Sequence, residues 1–362
     1  MPRVATGAPF DERGGRLRGA IDLLSGRYPR FVFGGHLGRT LPVFHFHEAT
    51  SASLEPAFAY LRENGYRTVD SNDVAALVRD GRSPAPNSVM LAFDDAWASL
   101  WLVVGPLLQK FGLRAVTYAI PGRMVDAPAT RPTIDDAAVD AAAADRADNP
   151  FVTWPELRSL STSGLVDVQT HTWSHSMIFS SDVVIARNGP ALAAEPILNR
   201  PRVDGGGPLE FLSPARHGFP LFQRRSRMSD ARRFFPDLHA CAALEVSDAE
   251  DAMPPFAGRI KGRWESSDEQ VRAIEQELTD GRDALEHGLK TTVRHVCLPW
   301  GVSGRLTRAA LDRLGFLTAF ANRMAGSFAV SAGDDPFFLK RLNERHIFSL
   351  PGRGRRTMTF LR

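Results

Sequence analysis

Cysteine is almost absent from this chain: Cys241 and Cys297 are the only two among 362 residues. That excludes a disulfide-stapled scaffold and fits a reducing compartment. Long hydrophobic runs are missing as well. The longest, residues 100–108, is far too short to span a bilayer, so no transmembrane segment is expected. The opening residues, Met1-Pro2-Arg3-Val4-Ala5-Thr6-Gly7, have no apolar core of signal-peptide length. The expected location is therefore cytoplasmic, at most peripheral to the inner face of the membrane. Charge of one sign is lacking too, with a net value of only +3, so nothing global argues for nucleic acid as a partner.

The hydrophobic content of 43% is ordinary for a globular core, and the length suits one large α/β domain with insertions or two smaller ones. Residues 1–40, rich in Gly and Arg, read as an N-terminal extension. From there strands and helices alternate. A strand over 41–47 is followed by a helix over 55–64 that Gly65 stops. A strand over 66–69 leads to a helix capped by Asn72 and running to Asp80. An apolar strand over 88–93, a helix over 97–111 and a strand over 115–120 come next. The alternation argues for a parallel sheet, open or closed into a barrel. It lapses in an Ala/Asp-rich insertion at 126–149 and again over 178–264, an excursion holding Gly205-Gly206-Gly207. It resumes with a capping box, Ser267-Asp268-Glu269-Gln270, opening a helix to His287. A strand over 292–298, a helix over 306–314 and a strand over 316–320 follow, with a last element from Ile347. No internal repeat is visible.

The apolar strand delivers two carboxylates, Asp94 and Asp95, at its C-terminal end. After another strand, over 165–169, His171-Thr172-Trp173-Ser174-His175 places two imidazoles four residues apart. One carboxylate and two imidazoles form an open three-ligand site for a borderline divalent metal, with a position left for water. The spare carboxylate is then free to act as a base on that water, and the set implies hydrolysis. Each half has an ordinary rival reading. The acids would serve as a helix N-cap and a solvated neighbour ahead of Trp97, and the histidines would pack on a helix face. Spacing together with an acidic partner favours metal ligation. Thr172 and Ser174 could orient the ligands through hydrogen bonds.

Phe93-Asp94-Asp95 and His171-Thr172-Trp173-Ser174-His175, in this order, resemble the first two motifs of the polysaccharide deacetylase family (NodB-homology domain, carbohydrate esterase family four). The resemblance spans roughly residues 41–350, interrupted by the two insertions. It implies a distorted (β/α)7 barrel of the polysaccharide deacetylase type, with the site at the C-terminal strand ends. By match to the motif, Asp95 joins His171 and His175 in holding one divalent ion, Zn2+ before others, and Asp94 is the general base. The implied activity is removal of an N-acyl group, foremost N-acetyl, from an amino sugar. The substrate would be a polysaccharide, an oligosaccharide or a lipid- or nucleotide-linked precursor. Two alternatives stand beside it: hydrolysis of a non-sugar C–N bond, such as a formamide or cyclic amide, and carbohydrate binding without turnover.

Departures from the family pattern carry expectations of their own. Ala96 stands where glycine is common, and is expected to matter little because alanine fits most conformations other than positive φ. Leu298-Pro299-Trp300-Gly301 resembles the third motif, with Trp300 expected to wall the substrate cleft. The same residues also suit a plain turn with a core tryptophan. Cys297-Leu298 replaces any arginine there, so an arginine holding the base must come from elsewhere or be absent. His47, in Phe46-His47-Glu48, resembles the start of deacetylases acting on biofilm poly-N-acetylglucosamine and is a substrate-contact candidate. The family's Leu-x-x-His, which supplies the proton donor, has no clean copy, leaving His346 and His217 as candidate acids. Finally, Arg216, Arg224, Arg225, Arg227, Arg232 and Arg233 lie among aromatics in the excursion. They read either as a solvated basic loop or as a clamp for a phosphate or carboxylate on the substrate, Arg216 included.

Overall fold

The computed structural model describes residues 26–136, 149–189, 195–204, 209–246, 258–321 and 328–357. The first 25 residues of the expected extension, most of the Ala/Asp-rich insertion and the Gly205-Gly206-Gly207 stretch lie outside the described residues. The chain forms two compact units. Among the described residues, those within 15–173, 278–301 and 311–362 form a barrel unit, and those within 174–277 and 302–310 form an insertion unit.

In the barrel unit the first five strands are β1 (Val43–Phe46), β2 (Arg67–Thr68), β3 (Ser88–Asp95), β4 (Ala115–Ala119) and β5 (Val166–Thr170). The insertion unit contributes β6 (Met177–Arg187), β7 (Pro220–Ser226), β8 (Phe234–Pro236) and β9 (Gly262–Trp264). The chain then returns with β10 (His295–Cys297), β11 (Thr318–Phe320) and β12 (Leu342–Asn343). The barrel strands lie in the order β11-β10-β5-β4-β3-β1-β12, all parallel, with β2 added beside β3. Leu339, just before β12, bridges Phe320 of β11, so the segment entering β12 touches both ends of the path. This is the distorted seven-stranded β/α barrel that the sequence implies.

Parallel strands covered on both faces need apolar residues throughout, and all eight residues of β3 are buried. Alternate residues feed different cores. Val89, Leu91 and Phe93 join one cluster, with Phe44, Phe46 and Ala119; Met90 and Ala92 join another, with Val116, Tyr118, Cys297 and Phe320. The pleat therefore sends Asp94 toward the Cys297–Phe320 side and leaves Asp95 to begin the loop.

Helix boundaries move where a better cap exists. The first helix, α1, runs Ser51–Glu63 because Thr50 and Ser53 form a reciprocal capping box. Asp70, not Asn72, caps α2 (Ser71–Asp80), accepting from the N–H groups of Asn72 and Asp73. The helix expected from Trp97 is a π-helical turn, Leu100–Val104, before α3 (Gly105–Phe111), in which Pro106 offers no N–H. Then come α4 (Trp154–Thr162), α5 (Leu238–Ala242), α6 (Ser267–Leu289) and α7 (Arg305–Arg313). The box at the start of α6 uses Ser266 and Glu269, one residue earlier than expected. Among the described residues no helix is long and apolar enough to cross a membrane.

The described part of the expected extension is structural: Phe31 and Val32 are fully buried in the main core. Residues 178–264 are likewise more than an irregular excursion. β6 and β7 pair antiparallel, β8 pairs β9, and Phe179, Leu212, Phe219, Phe222, Phe234 and Cys241 form a separate core.

Candidate active site

Asp94 and Asp95 are each only 3% exposed, and burial alone would push both carboxyls toward the neutral form. What each touches separates them. Asp94 accepts two hydrogen bonds from Arg341, from Nη1 to Oδ1 at 2.6 Å and from Nη2 to Oδ2 at 2.7 Å. Burial pushes the Asp94 pKa up, but the Arg341 guanidinium outweighs it and holds the carboxyl well below the usual range. Arg341 is delivered by the pairing of Leu342 in β12 with Phe44 in β1, and its guanidinium lies 5.4 Å from the Phe320 ring centre. Here is the arginine that the third motif lacks. Two more groups approach Asp94: His47 Nε2 at 3.9 Å, and the Cys297 thiol, donating at 3.7 Å.

Asp95 is held differently. Its Oδ2 accepts from Trp97 Nε1 at 2.9 Å, and its Oδ1 lies 3.4 Å from His171 Nε2. Burial is the main influence on its pKa and raises it, with His171 pulling the other way. His171 Nδ1 lies 2.6 Å from the Cys297 carbonyl. A carbonyl only accepts, so Nδ1 carries a hydrogen, and Nε2 is the ring atom turned toward Asp95. On the same loop, four residues along, His175 is also buried. One ligand-type atom from each of Asp95, His171 and His175 falls within 4.8 Å of the others. Asp94, His171 and Cys297 meet the same distance limit. That second set is the poorer one, because Arg341 already takes both Asp94 oxygens and burial pushes the Cys297 thiol well above its usual pKa. An oxygen and two imidazole nitrogens, one of them oriented from behind, fit a zinc-type ion.

Backbone strain gathers around these groups. Seven non-glycine residues among those described have positive φ, and five of them end β3, β5 or β10: Asp95, Ala96, Thr172, His175 and Trp300. Such residues cost about 1–3 kcal/mol each and persist only where packing imposes them. Ala96, at φ 53°, corrects the expectation that alanine for glycine is harmless here, since its position is left-handed. The packing on the loop after β5 is tight. A Cβ on Gly281 of α6 would lie 2.6 Å from Thr170 Oγ1 and 2.9 Å from the Trp173 nitrogen, and one on Gly122 would lie 2.6 Å from the Trp173 carbonyl.

The remaining candidates divide. His47 is in the site, half-exposed at its rim. Trp300 stands at the end of β10 in a left-handed turn, partly exposed. His346 is 3% exposed and packs against Tyr28 at 5.8 Å, with its pKa lowered to about 4 by burial and then by Arg345. That setting makes it a core histidine rather than a proton donor. His217 lies in the insertion unit, where its carbonyl accepts from the Val246 N–H. Arg216 is not free for substrate: it pairs with Glu245 at 2.6 Å and covers the Phe219 ring at 4.5 Å. Arg224 pairs with Glu195 at 2.8 Å and Arg227 with Glu265 at 2.6 Å. Their neighbour Arg233 donates to the Asp204 carbonyl at 2.8 Å. These guanidiniums are neither a solvated loop nor an anion clamp. Arg341 and Trp97 were not singled out from sequence; Arg341 lies 247 residues from Asp94, beyond any local pattern.

Residues 81–186 match the model of the polysaccharide deacetylase family, "Polysaccharide deacetylase". This stretch carries Asp94, Asp95, His171 and His175, and through it the chain is similar to that family. It is 35% identical over 130 residues to the poly-β-1,6-N-acetyl-D-glucosamine N-deacetylase of Escherichia coli strain K12, and equally to that of strain O157:H7. The match takes in 36% of this chain and spans only 18% of the length of those relatives. Among solved structures, the BpsB deacetylase domain from Bordetella bronchiseptica superposes with a TM-score of 0.52 at 17% identity, over 84% of this chain and 95% of that one. That likeness is one of fold.

Proposed function

We propose that the protein is a divalent-metal-dependent hydrolase that removes the N-acetyl group from an amino sugar. The observation that carries the reading is the division of labour between two adjacent aspartates. Asp94 is held ionised by Arg341, and Asp95 turns its Oδ1 to His171, with a ligand atom of His175 within 4.8 Å of the pair. When bound, a divalent ion, Zn2+ on this donor set, polarises the acyl carbonyl and acidifies a water. Asp95, His171 and His175 would hold it. Asp94 takes the proton from the attacking water, and Arg341 keeps that carboxylate aimed and charged. His47, at the rim and 3.9 Å from Asp94, is placed to pass a proton to the departing amine in place of His346 and His217. Trp300 supplies an apolar face for the sugar ring, and backbone N–H groups of its turn are available to the oxyanion.

The substrate proposed is a polymer or oligomer containing N-acetylglucosamine. The 35% identity over 130 residues to the Escherichia coli enzymes supports it. The engagement of Arg216, Arg224 and Arg227 with carboxylates leaves a phosphate-linked precursor without its expected clamp. A mass-spectrometric screen for acetyl loss tests the assignment, using β-1,6-linked N-acetylglucosamine oligomers, other N-acetylhexosamine oligomers, nucleotide-linked sugars, formamides and cyclic amides. Acetate release from the oligomers supports it. Turnover confined to the formamides or cyclic amides overturns it in favour of non-sugar C–N hydrolysis.

A further inference from the structure

We infer that Glu277 is a positioning residue for the proposed metal centre, an inference that rests on the reading of His175 as a ligand. Within the insertion unit, the Glu277 side chain is 3% exposed. Its Oε2 accepts from the Ser174 N–H at 2.9 Å, and its Oε1 accepts from the hydroxyls of Ser174 and Ser176. The two hydroxyl oxygens, Ser174 Oγ and Ser176 Oγ, lie 2.9 Å apart. One carboxylate therefore fastens the residues on both sides of His175, which itself sits at φ 51°. A left-handed histidine with both neighbours pinned has its peptide planes, and so the base of its side chain, fixed before any ligand arrives.

The carboxylate is in turn anchored. Arg202 Nη1 lies 3.6 Å from Glu277, and Arg202 also pairs with Asp204. Asp204 is 3.6 Å from Arg233, whose backbone N–H donates to Glu265 at 2.9 Å. Glu265 closes the chain by a two-pronged pair with Arg227 at 2.6 and 2.9 Å. Three acidic side chains and three arginines thus alternate from Glu277 to Arg227, with the step from Arg233 to Glu265 made by a backbone N–H. The arginine-rich insertion ends on the metal-binding loop, so its charge serves the geometry of that loop. Glutamine at 277 would keep the shape but replace one acceptor oxygen with a donor, which cannot receive both the Ser174 N–H and the hydroxyls.

The test compares Zn2+ affinity, by chelator competition at fixed pH, in the full chain and in Glu277→Gln, with metal-free melting temperature and the absorption spectrum of the Co2+-loaded protein beside it. Glu277→Gln should weaken Zn2+ binding about 10–100-fold at a temperature where both proteins are folded, and should alter the Co2+ spectrum. A lower melting temperature with unchanged affinity and spectrum would make Glu277 merely structural and overturn the proposal. If Glu277→Gln does not fold, the pair Ser174→Ala/Ser176→Ala decides: weaker Zn2+ binding supports the proposal and wild-type affinity overturns it. His171→Ala is the control for the underlying reading. If the wild type binds Zn2+ no better than His171→Ala, the metal assignment itself has failed; if only the Glu277 and serine variants behave as wild type, the positioning role alone has.

Discussion

Asp94 keeps both oxygens on Arg341, while Asp95 gives one oxygen to Trp97 and turns the other to His171. Removing one partner of a buried, doubly hydrogen-bonded pair leaves an uncompensated charge, at a typical cost of about 3–5 kcal/mol. Arg341→Met should therefore lower stability and also move catalysis along the pH axis. With the guanidinium gone, burial is opposed only by the weaker pull of His171 and His47, and the Asp94 pKa rises. The acid limb of the kcat/KM profile should then shift to higher pH; an unmoved limb would mean that Asp94 is not the base. A second pH effect belongs to His295, fully buried against Thr318, whose pKa burial, then Arg294 and Arg79, lower to about 3. The unfolded chain takes up this proton near pH 6.5, well before the folded one, so stability is lost as pH falls from there toward 3. At pH 5 the loss is about 2 kcal/mol from this residue. Denaturant midpoints at pH 7 and pH 5 should differ less in His295→Gln than in the wild type. At this scale the ligand set was legible, because Asp-Asp and His-x-x-x-His are local patterns. Arg341 was not: Lys340-Arg341-Leu342-Asn343 says nothing of its partner until β12 pairs with β1.

Among the elements, α6 bears most directly on the site, and Gly281 is the position where this shows. Glycine inside a helix costs roughly 1 kcal/mol relative to alanine. A methyl group there, however, would meet Thr170 Oγ1 at 2.6 Å and the Thr172 carbonyl carbon at 2.9 Å, largely backbone that cannot swing aside. Gly281→Ala should thus destabilise by about 1–3 kcal/mol despite its better helix propensity, and should lower turnover by displacing His171. Equal or raised stability with full activity would show that the loop has slack. Strand and helix alternation gave most elements from sequence, since β3, β4 and β5 are short apolar runs and the helices carry caps. Boundaries slipped where two polar residues compete for the cap, as Asp70 and Asn72 do, or where Pro106 forces a π-turn. The β6–β7 pair escaped notice because its partners, such as Met177 and Ser226, meet only across long sequence separation, with register shifts between them.

For the molecule as a whole, the excursion is a unit with its own core and buried ion pairs, where the sequence reads either as a solvated basic loop or as a substrate clamp. Arg227→Met should cost about 3–5 kcal/mol, because it strands Glu265, while leaving KM for a nucleotide-linked sugar as unchanged as that for an uncharged oligomer at a temperature where the protein is folded. A large rise in KM without loss of stability would restore the clamp. No compositional signal distinguishes arginines that bind ligand from arginines that bind Glu195, Glu245 and Glu265, and those acids are scattered through 195–265. The proposed activity requires that Asp95, His171 and His175 hold a metal that Asp94 does not touch. The most direct measurement is the metal-to-protein ratio, by plasma mass spectrometry, of the wild type, Asp94→Asn and His171→Ala/His175→Ala after identical loading with Zn2+ and desalting. The prediction is about one ion per chain in the wild type and in Asp94→Asn, and none in the double histidine variant. Metal retained by the double variant, or lost from Asp94→Asn, would contradict it.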